Sequence, residues 1–182
     1  MLCAPCQRVA KNSCRFKLRK VAYAIKNSPT IVIPKWFLTS DKLGLGHRMM
    51  PWDVSTRWNS TYDMLLFSLK YRGALNIITG DREMKLCQYE MDNKEWAIAG
   101  QLSNVLKVFK DATLYFSRGG TPNIATVIPA MDHIDEVLAT SASDSEYSVS
   151  ILQAALAMGK KTPNRYYSKT DFSEVYRIAM GK

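Results

Sequence analysis

Residues whose types and spacing could do chemistry are few in this chain, and the densest run is Asp53-Val54-Ser55-Thr56-Arg57-Trp58-Asn59-Ser60-Thr61-Tyr62-Asp63-Met64-Leu65-Leu66. Arg57 and Trp58 set a cation beside a large flat ring, a pair that suits a phosphate and an unpaired base. Ser60 with Asp63 three residues on is the Ser/Thr-x-x-acid signature of a helix start. There the hydroxyl accepts a helix N–H and the carboxylate complements the positive helix end. Leu65, Leu66 and Leu69 then provide a first apolar face. The pattern therefore predicts Arg57 and Trp58 at a stiff helix N-terminus, a place that favours anions. Composition alone favours a plainer reading, with Trp58 in the core and Arg57 on the surface.

Other chemistries have less material. The two histidines, His47 and His133, leave no context for a Ser-His-Asp or Cys-His arrangement. His133 lies between Asp132 and Asp135, but neighbouring helical residues point in different directions, so a solvated face is expected rather than a ligand set. Cys3-x-x-Cys6 has the spacing of half a zinc site, with Cys14 as a candidate third ligand, yet no second Cys or His pair follows at zinc-finger spacing. Free thiols in a reducing compartment are the expectation, with no metal and no cofactor. Gly44-Leu45-Gly46 lacks the preceding strand of a phosphate loop and reads as a connection.

Charge placement is more informative. The net charge of +9 comes entirely from residues 1–48, where ten Lys or Arg face the single acid Asp41. The remaining residues hold fifteen of each sign. A basic segment on a neutral body points to a polyanion, with nucleic acid ahead of a membrane surface, and Arg15, Lys17, Arg19 and Lys20 are its densest cluster. The alternative is a solvated basic face with no partner. No stretch approaches the ~20 apolar residues that span a bilayer, and no signal peptide is evident, so an intracellular chain without membrane association is expected.

At 182 residues and 47% hydrophobic, the chain is long enough for one domain with a sizeable core. Leu18, Val21, Ala22 and Ile25 recur at helical spacing, predicting a basic amphipathic helix that stops at Asn27-Ser28-Pro29. Thr30 to Leu38 is β-branched and aromatic and on propensity reads as a short strand, with Pro34 placing it at an edge. After the Arg-Trp helix, an interruption near Gly73 precedes a short helix over 74–79, closed by Gly80-Asp81, and 81–90 reads as mixed with another short helix. Asp92 and Glu95 form a second capping signature. It opens a helix whose stripe is Ile98, Leu102, Val105, Leu106, Phe109, Ala112, Thr113 and Phe116, ended by Gly119-Gly120. Thr121 before Pro122 caps the next, which runs through Ile124, Val127, Ile128, Met131, Ile134 and Leu138 with a kink at Pro129. Further helices are expected over Tyr147 to Met158 and Phe172 to Met180. The fold class is mainly α, with about six or seven helices and few or no strands.

The run Thr56 to Leu65 resembles a block of the hAT-superfamily DNA transposases and their host-derived proteins. Leu106 to Ser117 with Thr121-Pro122-Asn123, and Asn164 to Ser168 with Ser173 to Met180, are similar to the helical part of the same RNase-H-like region. The resemblance spans roughly residues 16 to 180 in the family's order. It divides the chain into an unplaced tail (1–14), a basic helix and linker (15–52) and a helical hAT-like segment (53–182), and it implies a helix or loop over 30–38. It also implies that the family's first two catalytic acids lie upstream of this segment and the third downstream. None of the sixteen acids then belongs to a metal-holding triad of the kind two-metal cleavage needs.

By the same resemblance Trp58 stacks on an unpaired base with Arg57 on its phosphate. The expectation is thus a truncated, non-catalytic, nuclear fragment that binds DNA weakly and electrostatically through Arg15, Lys17, Arg19, Lys20, Arg57 and Trp58. A homo-oligomer finds no support, because the family's C-terminal dimerisation region has no counterpart here. The alternative is a helical protein-interaction module, or an inert transposon relic, that does not bind DNA.

Overall fold

The structure, a computed structural model, describes residues 14–54, 57–117, 124–143 and Glu174. Among these residues there are six α-helices, two short 3-10 turns and no strand. The helices are α1 (Cys14–Asn27), α2 (Val32–Lys42), α3 (Trp58–Lys70), α4 (Arg72–Gly80), α5 (Asn93–Phe116) and α6 (Ile124–Ser143). The 3-10 turns, Arg82–Met84 and Cys87–Tyr89, occupy the stretch read as mixed. The chain divides into two compact units, Met1–Ser103 and Asn104–Lys182, with α5 running from the first into the second. Expected features at Cys3, Cys6, Gly119-Gly120, Thr121-Pro122 and 147–158, and all but Glu174 of the helix over 172–180, lie outside the described residues.

In α1 the predicted stripe is the buried one: Leu18, Val21, Ala22 and Ile25 face inward. The strand expected at Thr30 to Leu38 is instead helix α2, a correction with a local cause and a tertiary one. Pro34 falls in the first helical turn, where its missing N–H has no partner to lose. Ser28 serves the turn before it, its Oγ accepting from Val32 N–H at 3.3 Å and its carbonyl from Ile33 N–H at 3.0 Å. Val32, Trp36, Thr39 and Ser40 then bury one helical face, an i, i+4, i+7, i+8 spacing that outweighs the β-propensity of the individual residues.

An aromatic stack forms the centre of the first unit. Trp36 is fully buried, with its ring 5.6 Å from Tyr71 and 6.2 Å from Phe67, and the latter two stack at 4.1 Å. Their polar tips hold the following connection: Trp36 Nε1 donates to Arg48 O at 2.9 Å, and the Tyr71 hydroxyl donates to Gly46 O at 2.9 Å. Gly44 in that connection has φ +65°, a conformation that disfavours any side chain. Residues of the 15–52 segment and of the 53–103 segment therefore share one core.

Helix α3 begins at Trp58 with Arg57 as its cap residue, three positions before the start that Ser60 and Asp63 predicted. Ser60 closes the preceding turn instead, its Oγ 2.6 Å from Arg57 O and accepting from Val54 N–H at 2.8 Å. The buried stripe of α3 is Thr61, Met64, Leu65 and Ser68, whereas Leu66, expected on the apolar face, is 51% exposed.

The Asp92 and Glu95 signature forms as predicted. Glu95 N–H donates to Asp92 Oδ1 at 2.7 Å and Asp92 N–H donates to Glu95 Oε2 at 3.0 Å, a reciprocal capping box. The face of α5 that enters the first unit is Trp96, Ala99 and Ser103, one step round from the predicted stripe; Ile98 and Leu102 are half-buried. Lys17 of α1 reaches the same carboxylate at 2.6 Å and Glu90 O at 3.0 Å. Glu95→Ala, which removes cap and ion pair together, is expected to lower stability by about 1–2 kcal/mol. Glu95→Gln retains the capping reach and should lose about half as much. Urea unfolding midpoints of the two variants would check both values.

Candidate nucleic-acid interface

Asp53, in the extended segment before α3, is the residue on which the candidate site is built. Its side chain is fully shielded from solvent and gathers groups from two helices. From α1, Arg15 Nε donates to Oδ2 at 3.0 Å and Arg19 Nε lies 3.3 Å from the same oxygen. From α3, Thr61 Oγ1 donates to Oδ1 at 2.7 Å, with Ser60 Oγ at 3.4 Å. A buried carboxylate is stable only with such compensation.

The consequence is positional. Arg15 and Arg19, singled out as basic residues of the first quarter, are drawn to the turn that starts the Arg57-Trp58 helix. Both remain partly open, with side chains 38% and 40% exposed. Arg57 is exposed and has extended backbone angles, φ −126° and ψ 97°; its N–H donates to Val54 O at 2.9 Å. Trp58 is the first residue of α3, and its side chain lies outside the described atoms. Lys17 is placed elsewhere, against Glu95 and Glu90 O at the start of α5. Lys20 is exposed, with its ammonium 5.5 Å over the Phe16 ring. The structure thus brings Arg15, Arg19 and Arg57 to one region, with Lys20 on the adjoining face of α1.

Three further residues join this region without having been singled out. Tyr23 and Trp52 are exposed by 55% and 42%, with ring centroids 5.7 Å apart, and the Lys26 ammonium sits 5.4 Å over the Trp52 ring. A sequence signal existed for Tyr23: it lies three residues after Lys20 and seven after Phe16, so it shares the outer face of α1 rather than the buried one. Nothing in the local sequence marks Trp52 as exposed.

Other polar groups are occupied structurally. Lys35 pairs with Asp81 at 3.0 Å, and that hydrogen bond, with help from Glu83 N–H, holds the Asp81 carboxyl below its ordinary range. Cys14 is buried at the start of α1 and burial pushes its thiol up, which suits a neutral thiol packed in the core. Among the described residues, no three His, Cys, Asp or Glu side chains group closely enough to hold a metal ion. His47 is bonded to Asp41 and stacked on Phe37, and His133 is exposed on α6. In the second unit a groove of about 780 Å³ lies between α5 and α6; its charged pair, Lys107 and Asp111, is closed on itself at 2.6 Å. Among the described residues no helix is long and apolar enough to cross a membrane.

Comparison with known proteins agrees with this all-helical core. Residues 10–105, just over half of the chain, match the family described as the ZBED1 RNase-like helical domain. The matched range nearly coincides with the first compact unit and contains the Asp53 cluster and the start of α3. The similarities at 106–123 and 164–180 lie beyond it. Neither the curated proteins nor the solved structures gave a match. A helical core ending in α5, the Arg-Trp helix start and the family match together place this chain in the ZBED1 RNase-like helical domain family, a hAT-type transposase-derived family.

Proposed function

We propose that this protein is a non-catalytic, nuclear DNA-binding piece of a hAT-type transposase-derived protein. It holds DNA through sequence-independent phosphate contacts. The observation that carries this reading is the Asp53 cluster, because one buried carboxylate fixes Arg15 and Arg19 beside the helix start that presents Arg57. The Arg15 and Arg19 guanidiniums, the exposed Arg57 that heads α3 and the Lys20 ammonium on the adjoining face of α1 supply cations of the kind that neutralise backbone phosphates. Lys17 serves the scaffold, since its ammonium is held by Glu95 and Glu90 O. The non-catalytic part of the reading rests on the resemblance, which assigns none of this segment's acids to the metal-holding triad.

A mobility-shift titration of the full chain on duplex DNA tests it. With three to four phosphates engaged, log affinity should fall with log salt at a slope of roughly −3, and Arg57→Ala or Lys20→Ala should each reduce the slope by about 0.9. Both side chains lie outside the Asp53 cluster, so neither change removes a core contact. Absence of binding at low salt, or binding that both variants leave unchanged, would overturn the proposal in favour of a protein-interaction module. Nicking or joining of a duplex in magnesium or manganese would overturn its non-catalytic half.

A further inference from the structure

The outer face of α1 carries Phe16, Arg19, Lys20, Tyr23 and Lys26, which recur every three or four residues opposite the buried Leu18, Val21, Ala22 and Ile25. Trp52, from the segment leading into Asp53, lies against this face. Phe16, Arg19, Lys20, Tyr23, Trp52 and Asp53 line a cleft of about 260 Å³ there. That is below the roughly 300–1,000 Å³ of sites for drug-sized ligands. The cleft therefore suits a smaller flat group.

Its chemistry is specific in kind. Two large aromatic rings, Tyr23 at 55% and Trp52 at 42% exposure, are left uncovered in a chain that buries Trp36 and Trp96 almost completely. Cations lie among the rings of this face, with Lys26 over the Trp52 ring at 5.4 Å and Lys20 over the Phe16 ring at 5.5 Å. The one acid in the lining, Asp53, is already neutralised by Arg15 and Arg19, so the cleft is positive. Exposed rings interleaved with cations are the make-up of surfaces that bind single-stranded nucleic acid, where bases stack on the rings and the backbone follows the charges.

We propose that this cleft takes an unpaired base of single-stranded DNA, stacked on Trp52 with Tyr23 at its edge, while Lys20 and Lys26 hold the neighbouring phosphates. The Tyr23 and Trp52 planes are 51° apart, so a base can lie flat on one of them and not between both. Lys26 exchanges its contact with the Trp52 face for the phosphate of the incoming nucleotide. A duplex gains nothing from the rings, because its base faces are already stacked within the helix, and it meets only the cations. The inference deepens the DNA-binding reading above by naming a strand type and a second contact site, separate from Arg57-Trp58.

The test uses the full chain with a labelled oligothymidine of about ten nucleotides and, in parallel, a labelled duplex. Trp52→Ala and Tyr23→Ala should each weaken oligothymidine binding by about 5- to 100-fold while leaving duplex binding within about twofold. Trp52→Phe should restore most of the loss. Lys26→Ala should flatten the salt dependence for the single strand by about 0.7. Tryptophan emission of the parent chain should be quenched by oligothymidine, and the quench should shrink in Trp52→Phe, a readout that does not depend on the stability of an alanine variant.

If both alanine variants leave oligothymidine binding intact, or weaken duplex and single strand alike, the cleft is not a base site and the inference fails with duplex binding still standing. Capture of a protein segment by the cleft without oligothymidine binding would likewise overturn it. Loss of duplex binding from the parent chain, with the oligothymidine quench retained, would instead sink the broader reading and leave the cleft in place.

Discussion

Trp36→Ala is expected to cost about 3–5 kcal/mol, the largest single-residue effect in the first unit. Three losses combine. The side chain is wholly buried, so its removal forfeits apolar transfer energy and leaves a cavity that helices α1 to α4 can only partly close. The stacked contact with Tyr71 and the tilted one with Phe67 disappear, and such ring pairs are worth more than area alone. Arg48 O loses the indole N–H that fixes the connection between α2 and α3. Against a total stability of about 5–15 kcal/mol for a domain, such a loss leaves the variant close to unfolding. Trp36→Phe retains a ring and gives up only the N–H and some volume, so it should cost about 1–2 kcal/mol. Chemical unfolding of both variants separates these contributions, and a Trp36→Ala loss below about 1 kcal/mol would contradict this packing.

Asp53→Ala is expected to cost about 2–4 kcal/mol. The carboxylate has no solvent exposure and serves two guanidiniums and the Thr61 hydroxyl at once. Its removal leaves Arg15 and Arg19 without their anion and Thr61 without its acceptor. The arginines are more than a third exposed, so water recovers part of what they lose, and the estimate is lower than for a fully enclosed pair. The converse change is worse per residue removed, because Arg15→Ala with Arg19→Ala strands a shielded negative charge. A double-mutant cycle between Asp53→Ala and Arg15→Ala should give a coupling of about 0.5–3 kcal/mol. Additive effects would mean that the cluster is not the tie between α1 and α3 that the geometry describes.

These two residues act at different levels of the same site. Trp36 holds α2 against α3 and α4, and so sets the frame in which the Arg57 cap is presented. Asp53 then chooses which cations share that frame. Of the six residues singled out as DNA contacts, Arg15, Arg19 and Arg57 come together, Lys20 lies on the adjoining face, Lys17 is tied to the α5 cap, and Trp58 is present as the first residue of its helix.

Where neighbouring residues contain the whole cause, the sequence by itself determined the outcome. The α1 stripe, the break near Gly73, the Asp92 and Glu95 box and the long α5 all depend on spacing within one or two turns, and the helical fold class followed from them. The family was legible for the same reason, since its motifs are contiguous. Only the tertiary structure decided the rest. Within Thr30 to Leu38, the residues from Val32 on became helix because a core was waiting for Trp36 and Thr39 on one helical face, a reward that propensity does not contain. Ser60 lost its capping role to a turn fixed by Asp53 and Val54. The pairing of Asp53 with residues 38 and 34 positions earlier, and the exposure of Trp52 beside Tyr23, arise from contacts between distant segments. Local pattern cannot encode them, because a charge or a ring acquires its neighbours only after the helices have packed.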